Sequence, residues 1–159
     1  MFTPLRLLAA TGLIALTACG GGNDRMYLTD PAITQSALHP NETPELRRLI
    51  VQYSREYDVP VSLVQRVIIR ESSHRPGARN GPYYGLMQIL PQTARTMGYR
   101  GAPEGLLDAD TNLKYAVKYL RGAWLVSGGN HDRAVMWYAR GYYYEAKRLG
   151  LLQETGLRG

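Results

Sequence analysis

Disulfide bracing and metal chemistry are the first things this sequence does without. One cysteine in 159 residues forbids an internal disulfide framework and any cysteine-based zinc cluster. The three histidines, His39, His74 and His131, fall in no metal-ligand spacing and no HExxH occurs, so no resident metal or other cofactor is expected. Long hydrophobic runs are missing: the apolar stretch from Leu7 to Ala15 is shorter than the ~20 residues a spanning helix needs. Phenylalanine is reduced to one residue against 12 tyrosines, so most of the large aromatic surface carries a hydroxyl. Acidic charge is scarce as well. Thirteen acids face 19 basic side chains, a net charge of +6, which suits an anionic partner such as a nucleic acid, an acidic lipid or a carboxylate-bearing polymer. What remains is ordinary for a globular chain, 45% hydrophobic and 20% charged, and its length fits one compact domain.

The first residues read as an address. Arg6 precedes the short apolar run, which ends in Leu16-Thr17-Ala18-Cys19 before Gly20. That pattern resembles a bacterial lipobox: residues 1–18 would be a signal peptide and Cys19 the lipidated N-terminus. Acyl chains would tether the protein at ~0.8 kcal/mol per buried methylene, and Gly20 rather than Asp resembles lipoproteins sorted to the periplasmic face of the outer membrane. Residues 19–41, glycine-led and polar with Pro31 and Pro40, read as a flexible spacer. The folded domain is expected over 42–159.

That domain reads as helices throughout. Thr43 is a candidate N-cap, with Pro44 at the first helical position, followed by Leu46, Leu49, Ile50, Tyr53 and Tyr57 at helical spacing. Pro60 divides this helix from the next, with Asp58 as a candidate cap. Residues 74–84 form a loop dense in glycine and proline, and a short apolar segment follows. Pro91 opens a small helix ending near Gly98. Leu113, Ala116, Val117, Leu120 and Trp124 mark another helix, and Asp132 is a candidate cap for the last, with Val135, Met136, Tyr138 and Ala139 inward. No stretch alternates with period two for long, so the fold class is all-α with five or more helices.

Within the second helix Val64, Val67 and Ile68 form one stripe, and Glu71 continues it, three residues from Ile68 and four from Val67. A carboxylate on an apolar face loses hydration, which penalises the charged form. Arg70, adjacent in sequence, is expected to point elsewhere. Glu71 sits where the helix gives way to the glycine- and proline-rich loop, a place for a cleft wall. A protonated acid there is what cleavage of a glycosidic bond requires; a buried ion pair is the plainer reading of the same position.

Glu71-Ser72, then Pro76 and Ala78, then Gly85-Leu86-Met87-Gln88-Ile89-Leu90-Pro91 with Thr93-Ala94, and later Leu107, Asp108, Asn112, Leu113 and Tyr119-Leu120, resemble the soluble lytic transglycosylase family. The likeness runs from about residue 59 to 141. It implies a lysozyme-like helical domain with a catalytic cleft. It further implies cleavage of the β-1,4 bond between N-acetylmuramic acid and N-acetylglucosamine in peptidoglycan, without water, to 1,6-anhydromuramoyl products. Glu71 matches the family's single acid/base, Gln88 its sugar-contacting glutamine, and Tyr138 a tyrosine whose hydroxyl lies near the glutamate and would orient it. Met87 is expected mainly to pack behind Gln88. Tyr83 and Tyr84, flanking the GLMQ segment, are candidates for stacking on pyranose rings or for the rim of the core. Asp108 and Asp110 read as loop and cap residues rather than a second catalytic carboxylate.

The departures are specific. Asn80 stands nine residues after the glutamate where the family often has serine. The loop before GLMQ is one residue shorter. Tyr138-Ala139-Arg140-Gly141 replaces the family's YNAG, and the Tyr142-Tyr143-Tyr144 run beyond it would lengthen the helix or floor a sugar subsite. Two other functions stay open on the sequence: a lysozyme-like muramidase or chitinase that hydrolyses, and a wall-binding protein without turnover. Nucleic acid is not expected as a partner, since the basic residues are scattered with no recognised motif. The expected partners are glycan strands and, through the anchor, a membrane, with the domain acting as a monomer.

Overall fold

The structure, a computed structural model, describes residues 37–157; the expected signal peptide, Cys19 and most of the expected spacer lie outside the described residues. Among the described residues six α-helices follow one another: α1 (Pro44–Glu56), α2 (Val61–Glu71), α3 (Pro91–Thr96), α4 (Ala109–Val126), α5 (His131–Arg140) and α6 (Tyr143–Leu149). A short hairpin, β1 (Arg79–Asn80) and β2 (Tyr83–Tyr84), lies between α2 and α3, and a 3-10 turn (Pro103–Leu107) precedes α4. The expected all-α, lysozyme-like helical domain is what the chain forms. No helix among the described residues is long and apolar enough to cross a membrane.

Helix α4 is the hub. Leu113, Ala116, Val117, Leu120 and Ala123 are fully buried along it, and α1, α3, α5, α6 and the 3-10 turn pack around it. Its start is fixed by Asp108, whose carboxylate accepts from the Thr111 N–H at 2.8 Å, the capping role expected of it. Near its other end Gly122 lets the Tyr142 ring lie against the helix backbone; a Cβ there would collide with the ring. The Tyr142 hydroxyl donates to the Tyr119 carbonyl at 2.8 Å. Gly141, at φ +83, ends α5, so the tyrosine run does not extend that helix. Tyr142 is buried, while Tyr143 and Tyr144 begin α6 and face solvent.

Helix starts were read with mixed success. Thr43 caps α1 as expected, accepting from the Leu46 N–H at 3.1 Å. Asp58 does not cap α2. It adopts φ +50 and ends α1, with the Val59 N–H returning to the Ser54 carbonyl, and the fixed φ of Pro60 opens α2 without a side-chain cap. Asn130, not Asp132, caps α5 by accepting from the Arg133 N–H at 2.9 Å; Asp132 instead pairs with Arg66 of α2. The 74–84 loop contains the hairpin, with Gly81 at φ +56 followed by Pro82, the sign pattern of a II′ turn.

After the hairpin the chain makes a tight reversal over Gly85–Gln88, closed by reciprocal Tyr84–Ile89 hydrogen bonds, both 3.1 Å. Asn112 of α4, fully buried, holds this reversal from beneath. Its amide donates to the Tyr84 and Leu106 carbonyls at 2.9 and 2.8 Å, and its oxygen accepts from the Met87 N–H at 3.0 Å. Gly85 allows that approach, since a Cβ there would overlap the Leu106 carbonyl and the Asn112 amide. Removing the amide strands the Leu106 carbonyl and the Met87 N–H and leaves the Tyr84 carbonyl only its bond from Ile89. Asn112→Ala is expected to lower unfolding free energy by about 2–4 kcal/mol in denaturant titration; a loss below ~1 kcal/mol would show that the reversal holds itself.

Candidate active site

Three adjoining chambers form a groove between the end of α2, the hairpin, the Gly85–Gln88 reversal and the end of α5. The first, about 460 Å³, is lined by Glu71, Arg75, Gly77, Ala78, Arg79, Asn80 and Gln88. Glu71, Asn80 and Gln88 also wall the second, about 280 Å³, together with Arg70, Tyr83, Tyr138 and Ala139. Tyr83, Gln88, Tyr138 and Ala139 continue into the third, about 290 Å³, which adds Ile89, Leu90, Thr93, Tyr119, Arg140 and Gly141. Glu71 and Gln88 therefore lie at the middle of a continuous path.

Glu71 is the last residue of α2, one turn beyond Val67 and Ile68, both buried in the core. Its side chain keeps 24% of its surface open: the body rests on the apolar stripe and the carboxyl meets the groove. Burial raises its pKa above the ordinary carboxylate range, and the Arg70 cation opposes this. Arg70 does not point elsewhere, as its sequence position had implied; its Nε lies 3.4 Å from Glu71 Oε1. That guanidinium is half exposed, and such a pair contributes about 1 kcal/mol at most, which leaves burial in control. No other acid lines the three chambers, and no group of three or more His, Cys, Asp or Glu side chains among the described residues is gathered to hold a metal.

Gln88 is fixed by backbone carbonyls on either side of the hairpin. Its side-chain amide donates to the Ala78 and Gly85 carbonyls at 3.1 and 2.9 Å. Two carbonyl partners can be served only by the NH2 end, so the orientation follows from chemistry and leaves Oε1 to the groove. The residue holds φ +47, a left-handed conformation costing about 1 kcal/mol for a side-chain-bearing residue. Asn80, at the end of β1, and Tyr83, 42% exposed at the start of β2, both face the groove.

Tyr84 and Met87 turn inward, Tyr84 to the core edge that was its alternative place and Met87 as expected. Tyr84 is only 6% exposed, its ring covered by the Arg79 guanidinium at 4.6 Å; alternation along β2 turns it inward when Tyr83 turns out. Met87 is fully buried, as packing behind Gln88 requires. Its carbonyl matters more than its side chain, because it accepts from the Tyr138 hydroxyl at 2.8 Å. Tyr138 thus spends its proton on the reversal rather than on Glu71. Burial, with the nearby Glu71 charge second, raises its pKa well above 10. It stays a neutral phenol whose oxygen can still accept from the chamber it shares with Glu71.

Sequence reasoning missed what stands behind Glu71. Ser73 and His74 take φ +50 and +60 in succession, so the chain reverses directly after the helix. His74, fully buried, meets the Gln65 oxygen at 2.6 Å, and the Gln65 amide donates to Glu42 at 2.7 Å. That polarity makes His74 Nε2 the donor. Arg47 closes a bidentate pair on Glu42, both contacts 2.6 Å. Burial alone would raise the Glu42 pKa, yet hydrogen bonds from Arg47, the His39 backbone and Gln65 outweigh it and hold it down to about 2. His39 stacks on His74 at 5.0 Å and the Asn41 amide donates to the Ser73 carbonyl at 3.0 Å. Residues 37–41, expected to be spacer, brace the turn behind the carboxylate. Only the composition of that stretch was visible beforehand, and composition carries no tertiary contact.

The helical domain thus presents one half-buried carboxyl on a polar, tyrosine-walled groove. Comparison with protein families makes this specific: residues 48–153 match the Transglycosylase SLT domain, and the chain belongs to that family. No solved structure matches the chain. Membership supports transglycosylase activity directed at peptidoglycan.

Because Arg70 opposes burial at Glu71, Arg70→Gln is expected to raise the Glu71 pKa further. A carboxyl-carbon NMR titration reads this directly, and an unchanged or lower midpoint would mean that the 3.4 Å pair does not form in solution.

Proposed function

We propose that this protein cleaves the β-1,4 bond between N-acetylmuramic acid and N-acetylglucosamine in peptidoglycan without water, with Glu71 as sole acid and base. The observation that carries the reading is the single half-buried carboxyl midway along the groove, unaccompanied by a second acid in the lining. Two-carboxyl glycosidases need a partner ~5–5.5 Å away for retention or ~6.5–9.5 Å for inversion.

The raised pKa keeps a share of Glu71 protonated where an ordinary carboxyl would be ionised. Its proton passes to the glycosidic oxygen as the bond from C1 to that oxygen breaks. The muramoyl C6 hydroxyl oxygen then bonds to C1, and the Glu71 carboxylate, now the base, takes the hydroxyl proton. The 1,6-anhydro ring closes and Glu71 is protonated again, so atoms balance with no water consumed. Gln88 Oε1 accepts from a sugar hydroxyl or N-acetyl N–H. The neutral Tyr138 oxygen is an acceptor on the opposite wall, and Tyr83 offers an exposed ring beside them.

The cellular setting belongs to the same proposal and rests on the sequence pattern at the N-terminus: a signal peptide over 1–18, lipidation at Cys19 and a monomer held at the periplasmic face of the outer membrane. There the glycan strands would be within reach of the tethered domain.

Glu71→Gln keeps the volume and loses the proton. It is expected to leave the thermal transition in place and reduce release of fragments from purified sacculi by about 100-fold or more. Mass analysis of wild-type fragments should find anhydro ends. Reducing muramic ends would overturn the non-hydrolytic step in favour of a hydrolase, and undiminished release by Glu71→Gln would remove Glu71 from the acid/base role.

A further inference from the structure

The geometry points to Arg140 as a specificity residue that reads a carboxylate carried by the glycan strand in the third chamber. This rests on the groove holding a muramoyl glycan and adds the chemical group selected there.

Four guanidiniums, of Arg70, Arg75, Arg79 and Arg140, line the groove against the one carboxylate of Glu71. Three are engaged. Arg70 lies against Glu71, Arg75 Nε donates to the Ser72 carbonyl at 2.9 Å, and Arg79 covers the Tyr84 ring. Arg140 alone of the four has no hydrogen bond, ion pair or ring contact among the described residues. A cation in the last turn of α5 complements the helix dipole, which accounts for a basic residue at this end. It does not account for Arg140 lining a chamber. The chain resembles a family pattern with a small residue at this position, so the guanidinium is this sequence's own addition to the wall.

The chamber it edges combines the rings of Tyr83, Tyr119 and Tyr138 with Ile89 and Leu90. Such walls suit the apolar faces of a pyranose and its N-acetyl methyl group. A planar guanidinium beside them offers paired N–H donors matched to a carboxylate, and the lining provides no acid to satisfy it internally. A muramoyl strand presents carboxylates in two ways: on the lactyl ether of the ring once its peptide is removed, and on the peptide branch when it is intact.

Binding separates these sources and does not depend on cleavage. The lipid-free domain beginning at residue 37, carrying Glu71→Gln to prevent turnover, is titrated by intrinsic fluorescence. The ligands are a neutral chito-oligosaccharide, amidase-stripped glycan strands and peptide-bearing strands, each with and without Arg140→Gln. The preference for carboxylated over neutral strands is expected to fall about tenfold on substitution, the scale of one charge-assisted pair, and to shrink with added salt in the unsubstituted domain. Loss confined to the amidase-stripped strands assigns the ring's own carboxylate, loss confined to peptide-bearing strands assigns the branch, and loss on both shows that Arg140 reads either. Equal loss on all three, or none on either carboxylated ligand, would overturn the assignment of Arg140 alone. Absence of binding to all three would overturn the glycan reading with it. Circular dichroism of each variant guards against misfolding, and Arg140→Lys should recover part of the preference by restoring charge without the fork.

Discussion

A carboxyl group held at the boundary between a sealed core and an open groove is the constraint on which the rest of this structure depends. Full burial would leave Glu71 protonated and unreachable, and full exposure would return it to an ordinary carboxylate. The boundary position comes from helical spacing. Val64, Val67 and Ile68 are driven into the core, the next position on that stripe is residue 71, and the helix stops there because Ser73 and His74 reverse the chain. Two successive left-handed residues with side chains cost about 1 kcal/mol each. The buried chain from His74 through Gln65 and Glu42 to Arg47 supplies the fixed partners that hold such a turn.

The opposite wall solves a related problem. Gln88 must face the groove while its neighbours Leu86, Met87 and Ile89 remain buried. Neither helix nor strand places one residue outward among three inward neighbours, so the backbone leaves regular structure and reverses over four residues. The reversal is short of partners of its own, and Asn112 provides two from α4 while tying it to the Leu106 carbonyl of the 3-10 turn. Tyr138 adds a third through the Met87 carbonyl. The same hydrogen bonds that stabilise the fold thereby fix which end of the Gln88 amide reaches the groove. Stability and site geometry are not separable there.

The helices were legible because periodicity is local: the stripe of α1, the Pro60 break and the long apolar face of α4 could each be read within one or two turns. What failed depended on backbone turns and side-chain contacts that periodicity does not carry. Asp58 and Asp132 are reasonable caps by composition, but one is claimed by the left-handed end of α1 and the other by Arg66 across an interface. Tyr83 and Tyr84 are chemically identical, and only the hairpin register decides that the first faces the groove while the second lies under Arg79. Arg70 follows the same rule, since adjacency on a helix separates Cβ directions but not the ends of long side chains. The candidate site was legible as a set of residue types at specific spacing; the roles of Tyr138 and the bracing by residues 37–41 were not.

The changed segment at the end of α5 shows how one helix terminus can alter the groove without disturbing its centre. Tyr138 belongs to the core and is held by Met87, so the residues on either side of it are free to vary only where they leave the packed face. Ala139 and Arg140 do leave it; both are exposed and line the groove. Replacing an amide by a methyl removes a neutral hydrogen-bonding group from that wall, and the next residue places a full positive charge beside the gap. On the reading proposed above, the exchange would shift recognition at this end from directional hydrogen bonds toward charge. The carboxyl of Glu71, reached through Tyr138 and Gln88 in the adjoining chamber, keeps its own determinants: apolar burial and Arg70. Arg70 and Arg140 lie at different chambers of the same path, the first beside the acid whose raised pKa it opposes and the second without a partner among the described residues.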